Sequence, residues 1–362
     1  MGKKPKKYGN SKNIRNTLLI DGNALFKLGF FGAKDMFTRD GDHIGGLYIF
    51  ITILRKLLQE ELYYRVFVFW DGKFSGKQRW ELYSDYKCDR GKDFINGTHP
   101  IDIQEKTEIF LIRQYLEELC IRQLVDNSNA GVEADDFIAY YCKTKGDNER
   151  ITICTSDRDL AQLINPDVRI YFCDKKIRDY VTLENYNDFF DHHQANSKLI
   201  KIIGGDNSDS IKGIDGVKET TLLKYFPELK ERAISLSEII QSAKRQQVER
   251  IKDKKKPLKA LTNIVESNTQ GVQGKNIYRI NKSIIDLSEP LINKKNKELV
   301  EHYRNPMGDI EDRGIKNVYQ YMKRDGVDKQ IESFSTNYLL PFKKLIERER
   351  KELNLINEQN EQ

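Results

Sequence analysis

Residues 65–72 read Arg-Val-Phe-Val-Phe-Trp-Asp-Gly, five consecutive apolar side chains closed by an acid and a glycine. A short apolar run that ends on a turn dipeptide predicts a strand buried on both faces. The pattern recurs upstream, where Thr17–Ile20 (TLLI) runs into Asp21-Gly22, read as strand and turn. It recurs downstream, where Ile151–Thr155 (ITICT) runs into Ser156-Asp157-Arg158-Asp159. Gln123–Val125 and Val168–Cys173 predict two more strands. Between them, apolar residues return at helical spacing in Gly46–Glu60, Ile103–Cys120 and Val132–Thr144. Strands alternating with helices predict an α/β fold with a mainly parallel central sheet. After about residue 198 the chain becomes helical and strongly charged, beginning with two helix-like pieces around a glycine-punctuated turn in Lys201–Phe226.

The composition bounds what such a sheet can belong to. The 362 residues suffice for about two domains of roughly 150 residues each. Hydrophobic residues at 38% and aromatics at 10% exclude a disordered chain. The longest apolar stretch, near Ile44–Leu54, is broken by two glycines and a threonine. It falls short of the ~18 residues a membrane span needs, so no membrane is expected. The basic start has no apolar stretch of a secretory signal. Five cysteines without a CxxC suit a reduced, cytoplasmic interior with no disulfide framework or structural zinc. No HExxH is present, and the GKFSGKQ of residues 72–78 departs from a P-loop in spacing and in its last residue.

The carboxylates carry the functional signal. Asp21 and Asp71 end predicted strands; Glu133, Asp135 and Asp136 open a predicted helix; Asp157 and Asp159 follow a third strand; Asp206 and Asp209 lie in a Gly-rich loop. Any one alone reads as a turn or helix cap, and the Glu133–Asp136 group alone as favourable charge at a helix N-terminus. Together they predict convergence, because the C-terminal ends of parallel strands line one crevice. So many carboxylates stay ionised only beside cations. Hard oxygen donors select Mg²⁺ or Mn²⁺, and two such ions about 3.5–4 Å apart form a clamp for phosphodiester hydrolysis.

The stretches LLIDGN (18–23), VFVFWDG (66–72), RWELYSDYKCDRGK (79–92), GVEADD (131–136), TSDRDLAQL (155–163) and GGDNSDSIKGIDGVKETTLLKYF (204–226) occur in this order. In these stretches the chain resembles the 5′-nuclease superfamily of flap endonucleases, polymerase 5′-nuclease domains and phage 5′→3′ exonucleases. Through NKSIIDLSEP (281–290) and the helical tail it is most similar to the phage replicative RNases H that remove RNA primers. The resemblance implies a first metal group of Asp21, Asp71, Glu133, Asp135 and Asp136, and a second of Asp159, Asp157, Asp206 and Asp209. It implies catalytic contributions from Tyr86, Lys87 and Arg90, at the entrance of a helical arch spanning about residues 73–128, with Arg79 among the nucleic-acid contacts. It makes residues 201–228 a helix–hairpin–helix that grips duplex phosphates, with Gly213, Gly216 and Lys218 as contacts and K⁺ as a bound ion. Lys218 stands where the family's third hairpin glycine does, and a positive φ there would cost about 1 kcal/mol or more.

The expected organisation is a basic tail (1–15), a nuclease core with arch (16–200), the hairpin segment (201–228) and a helical C-terminal region (229–362). Within that region Lys254, Lys255 and Lys256 belong to a basic run, Ser242–Lys259, that reads equally as a solvated face or a duplex contact. The expected function is that of a metal-dependent 5′→3′ exonuclease or flap endonuclease on duplex, flap or RNA–DNA hybrid, in phage replication and in the host cytoplasm. The expected protein is a monomer whose replicative role implies a sliding clamp or a single-strand-binding protein as partner. Two alternatives stand beside it: a PIN-type ribonuclease, and a non-catalytic DNA-structure-binding protein on the same scaffold.

Overall fold

The computed structural model describes residues 14–88, 100–174, 176–267, 277–308 and 310–360. Arg90 and residues 1–13 of the basic tail lie outside the described residues. The elements begin with β1 (Arg15–Asp21), α1 (Gly22–Gly32), α2 (Gly45–Glu60), β2 (Arg65–Trp70), α3 (Lys77–Leu82) and α4 (Pro100–Glu118). They continue with β3 (Arg122–Val125), α5 (Ala134–Lys143), β4 (Glu149–Thr155), β5 (Val168–Phe172) and β6 (Tyr180–Val181). The second half holds α6 (Ser197–Gly204), β7 (Gly205–Asp206), β8 (Ile211–Lys212), α7 (Glu219–Tyr225), α8 (Leu236–Lys252) and α9 (Lys259–Glu266). It closes with α10 (Ile277–Ile285), α11 (Lys294–Tyr303), α12 (Ile315–Arg324) and α13 (Leu340–Asn360).

Six strands form one sheet in the order β3-β2-β1-β4-β5-β6, parallel except for the β6 edge. The chain leaves β1 toward β2 and β3, then returns to the other side of β1 with β4. That reversal creates a crevice at the C-terminal ends of β1 and β4. The strand alternation accounts for the continuous apolar runs. Leu18, Ile20, Val66, Val68 and Trp70 face a core with α1, α2 and α4. Leu19, Phe67, Phe69, Ile151 and Ile153 face the opposite core, against α5 and α11.

A third core lies beyond the sheet. It joins α6 and α7 to α8, α9 and α10, and it includes Tyr83 and Tyr86 from the segment after α3. Among the described residues, the helices after residue 229 divide among three cores. α8–α10 cover the hairpin segment, α11 covers one face of the sheet, and Val318, Met322, Phe342 and Leu345 of α12 and α13 cover the other. Among the described residues no helix is long and apolar enough to cross a membrane.

Two local structures differ from expectation. Asp21-Gly22 is the start of a helix instead of a turn: Asp21 is extended (φ −71°, ψ 100°) and accepts the Ala24 N–H at 3.0 Å, so it caps α1. Lys218 needs no positive φ. It sits at −125°, extended, at the N-terminus of α7, so the expected strain is absent. Gly216 takes the positive value, +73°. A Cβ on Gly213 would lie 2.1 Å from the Gly204 carbonyl carbon, so the two backbones cross where only glycine fits.

Candidate active site

The C-terminal sheet edge brings the predicted acids together through backbone contacts. Asp21 is 6% exposed, and its second oxygen accepts the Thr155 hydroxyl from the end of β4 at 2.9 Å. Asp71 follows β2 and accepts the Ala134 N–H at 2.9 Å, which pins the first turn of α5 to the sheet edge. The loop entering α5 is itself organised by Asp126, just after β3. Asp126 accepts the Ser128 hydroxyl and amide (2.6 and 2.8 Å), the Gly131 and Val132 amides (2.7 and 3.1 Å) and the Asn296 side chain (2.9 Å). Asp157 accepts the Asp159 N–H at 2.8 Å, opening a 3₁₀ turn at Arg158–Leu163.

The electrostatics of these acids are unbalanced. Burial, then Asp71 and Asp157, push the Asp21 carboxyl up to about 7. Burial and then Glu133 push Asp71 up. Burial, then the charges of Asp157, Asp21, Glu133 and Asp71, push Asp135 well above the usual carboxylate range. Asp21, Asp71, Asp135 and Asp157 thus crowd one another without a counter-charge large enough to offset the repulsion. An all-oxygen donor set in that state fits hard divalent cations. As they stand, no three His, Cys, Asp or Glu side chains among the described residues are arranged to hold a metal ion.

The other acids have protein cations beside them. Lys201, from α6, pairs with Asp159 and donates to Asp206 at 2.6 Å. Burial raises the Asp206 carboxyl, but Lys201 and Ser208 outweigh it and the group is held below its ordinary value. Glu133 accepts Arg79 at 2.6 Å and the Tyr86 hydroxyl at 2.9 Å, and pairs with Lys87. Burial alone would raise Glu133; Arg79 and Lys87 turn the shift downward. Tyr86 also reaches Asp209 at 3.4 Å, and the Lys87 N–H donates to the Asp209 carbonyl at 2.9 Å. Tyr86, Glu133, Asp135, Asp159 and Asp209 line one cleft. Lys87 holds φ +51°, an uncommon conformation for a residue with a side chain.

Two expected roles are corrected. Asp136 was expected among the metal ligands. It is fully buried, binds Arg79 through both oxygens at 2.5 and 3.0 Å, and accepts the Leu291 N–H at 2.9 Å. Three hydrogen bonds tie its two oxygens to the protein and hold it away from the cleft acids. Arg79 was expected at the nucleic acid. It is 5% exposed and also donates to the Ile284 carbonyl at 3.0 Å, so it is an internal cation. Sequence reading missed Thr155 and Lys201. Lys201 had one signal, its place five residues before Asp206 in the last turn of a helix.

On the hairpin side, the Lys218 ammonium donates to Asn207 at 3.1 Å and to the Gly204 carbonyl at 3.3 Å. Gly216 and Lys218 are exposed, and Lys254, Lys255 and Lys256 are exposed after α8, with Lys255 beside Asp253 at 3.1 Å.

Residues 16–193 match the model of the 5′-3′ exonuclease, N-terminal resolvase-like domain. The chain belongs to the 5′-nuclease superfamily. Among relatives in this family, a 5′-3′ exonuclease of Mycoplasmopsis pulmonis is 29% identical over 262 residues, 70% of this chain and 80% of that one. The thermostable DNA polymerase I of Thermus thermophilus is 30% identical over 239 residues, 66% of this chain. This chain spans about a quarter (26%) of that polymerase's length. The 5′-nuclease fold is also that of T5 5′-exonuclease, solved with zinc, with a TM-score of 0.60 at 18% identity over 80% of this chain and 98% of that one.

Proposed function

We propose that the protein is a divalent-metal-dependent 5′→3′ exonuclease and flap endonuclease that hydrolyses phosphodiesters near 5′ ends in duplex, flap or RNA–DNA hybrid, with RNA-primer removal as its role. One observation carries the reading. Asp21, Asp71, Asp135 and Asp157 crowd at the C-terminal edge of a parallel sheet, next to a Lys87 ammonium held at the cleft. Asp21, Asp71, Glu133 and Asp135 would hold one Mg²⁺ or Mn²⁺, and Asp157, Asp159, Asp206 and Asp209 the second. The chemistry supplied there is neutralisation of phosphate charge and activation of water.

The chain's own groups position and neutralise. Lys87 offers positive charge to a scissile phosphate at the cleft mouth. Glu133 holds Lys87 and Tyr86 in place. Gly213, Gly216 and Lys218 present the hairpin backbone and one ammonium to duplex phosphates, which sets register without reading sequence. NKSIIDLSEP, the stretch similar to the phage primer-removing enzymes, includes the Ile284 carbonyl that Arg79 binds, so it lies behind the acidic site.

The test is a product-length assay on 5′-labelled flap, nicked and RNA-primed duplexes, in Mg²⁺ and in EDTA. Short 5′ products in Mg²⁺ that vanish in EDTA are expected. Structure-selective binding without any cleavage in Mg²⁺ would identify the non-catalytic alternative instead.

A further inference from the structure

The opposite edge of the sheet carries an arginine-lined cavity of about 880 Å³. It opens at the N-terminal ends of β1, β2 and β4 and is lined by Arg15, Arg65, Arg304 and Arg348 around Tyr64. β1 separates it from Asp21 by six residue steps, about 20 Å, so it is distinct from the acidic site.

Three guanidinium groups pack on the single Tyr64 ring: Arg15 at 4.5 Å, Arg65 at 5.0 Å and Arg348 at 5.4 Å from its centre. Arg304 packs on Tyr141 at 4.4 Å. Backbone carbonyls fix several of these groups. Arg65 donates to the Arg304 carbonyl, Arg348 to the Tyr63 carbonyl, and Arg304 to the Thr144 carbonyl at 2.6 Å. Carboxylates answer only part of the charge. Arg65 pairs with Glu352 at 2.8 Å and Arg304 with Glu301 at 3.5 Å. Arg15 and Arg348 form no ion pair with any described residue. The lining acids are Asp147 and Glu149, and Glu149 already accepts the Thr17 and Tyr141 hydroxyls and the Gly146 N–H. The buried Nε–H groups of Arg65 and Arg304 have no acceptor, and a buried donor without an acceptor is costly.

We propose that this cavity binds a nucleoside phosphate, its phosphate on the Arg15 and Arg348 guanidinium groups and its base against the arginine–tyrosine faces. Planar guanidinium forks match phosphate oxygens and also stack on rings. The volume lies in the range of roughly 300–1,000 Å³ typical of small-molecule sites. The nucleotide is either free or the 5′ end of a strand.

The test is calorimetric titration in EDTA with two probes, dAMP and a 5′-phosphorylated dT tetramer. Wild type is compared with Arg15→Gln, Arg348→Gln and, as a control on an exposed helix face, Lys294→Ala. Arg15 contributes only its ring contact, so Arg15→Gln keeps the test valid if Arg348→Gln misfolds. Each arginine variant should weaken binding by about tenfold, while Lys294→Ala binds as wild type does. Equal affinities for the two probes assign a free nucleotide; a tighter tetramer, with the same arginine dependence, assigns a strand end. No heat from either probe, or an unchanged affinity in Arg15→Gln, overturns the proposal.

Discussion

Arg79 grips Asp136 through both carboxylate oxygens, at 2.5 and 3.0 Å, with neither residue open to solvent. The same guanidinium holds Glu133 at 2.6 Å. One cation therefore fixes the first turn of α5 beneath the acids. Removing it strands the buried Asp136 carboxylate and leaves Glu133 with Lys87 as its remaining cation, a loss of about 3–5 kcal/mol for a buried pair. Arg79→Met should lower the urea midpoint accordingly. Arg79→Met with Asp136→Leu should recover part of that stability, since neither charge of the bidentate pair then remains. A double variant as unstable as the sum of the singles would show that the two residues do not act as a pair.

Asp157 lies on the exposed rim of the acidic cluster. Asp157→Asn should fold normally and bind DNA nearly as well, yet lose about 100-fold or more in single-turnover rate, because its charge serves transition-state stabilisation. Cleavage at near wild-type rate in Mg²⁺ would remove Asp157 from the metal site.

Lys87 reaches the cleft from a strained backbone. Lys87→Ala should reduce the single-turnover rate more than duplex affinity, since charge beside a scissile phosphate matters most as negative charge develops. Equal losses would make it an ordinary backbone contact.

Lys254, Lys255 and Lys256 lie far from the acids in sequence. Replacing all three with alanine should make the salt dependence of duplex binding shallower, by about 0.9 in log–log slope for each phosphate released. Cleavage at saturating substrate should barely change. An unchanged slope assigns the run to a solvated surface and leaves the hairpin as the grip.

Asp126 supplies a pH signature. Burial pushes its carboxyl up, but the Ser128 hydroxyl, Asn296 and backbone amides prevail and hold it down at about 2, against an ordinary 3.8. A depressed carboxylate contributes stability above its unfolded value and loses it as pH falls through the folded one. Stability should therefore drop between about pH 4 and 2, and Asp126→Asn should flatten that limb. Thermal melts across this window, wild type against variant, measure it.

The sheet was legible because each of its long strands is an apolar run stopped by an acid or a turn, and a parallel sheet then collects those stops at one edge. Arg65–Trp70 occupies the expected span. Depth was not legible. Asp135 and Asp136 are neighbours in sequence, but a helix turns about 100° per residue. That step places one among the acids and the other on Arg79. Arg79 read as a solvent-facing cation because a sequence of basic residues does not show which of them is roofed by a segment 205 positions later. The cap role of Asp21 stood as one of two readings, because Asp-Gly signals a turn as strongly as a helix start.

The third core contains Tyr83 and Tyr86 together with α6, α7 and α10. The residues matched by the exonuclease domain, 16–193, are therefore not a detachable module. A chain ending near residue 200 would lose the Ile284 carbonyl under Arg79, the Leu291 amide on Asp136, and Lys201 beside Asp159 and Asp206. It would also bare Tyr83 and Tyr86, which pack in the third core. Anyone transplanting the acidic edge onto another protein must carry the distal helices with it, since the second half of the chain supplies the seat on which the first half's acids rest.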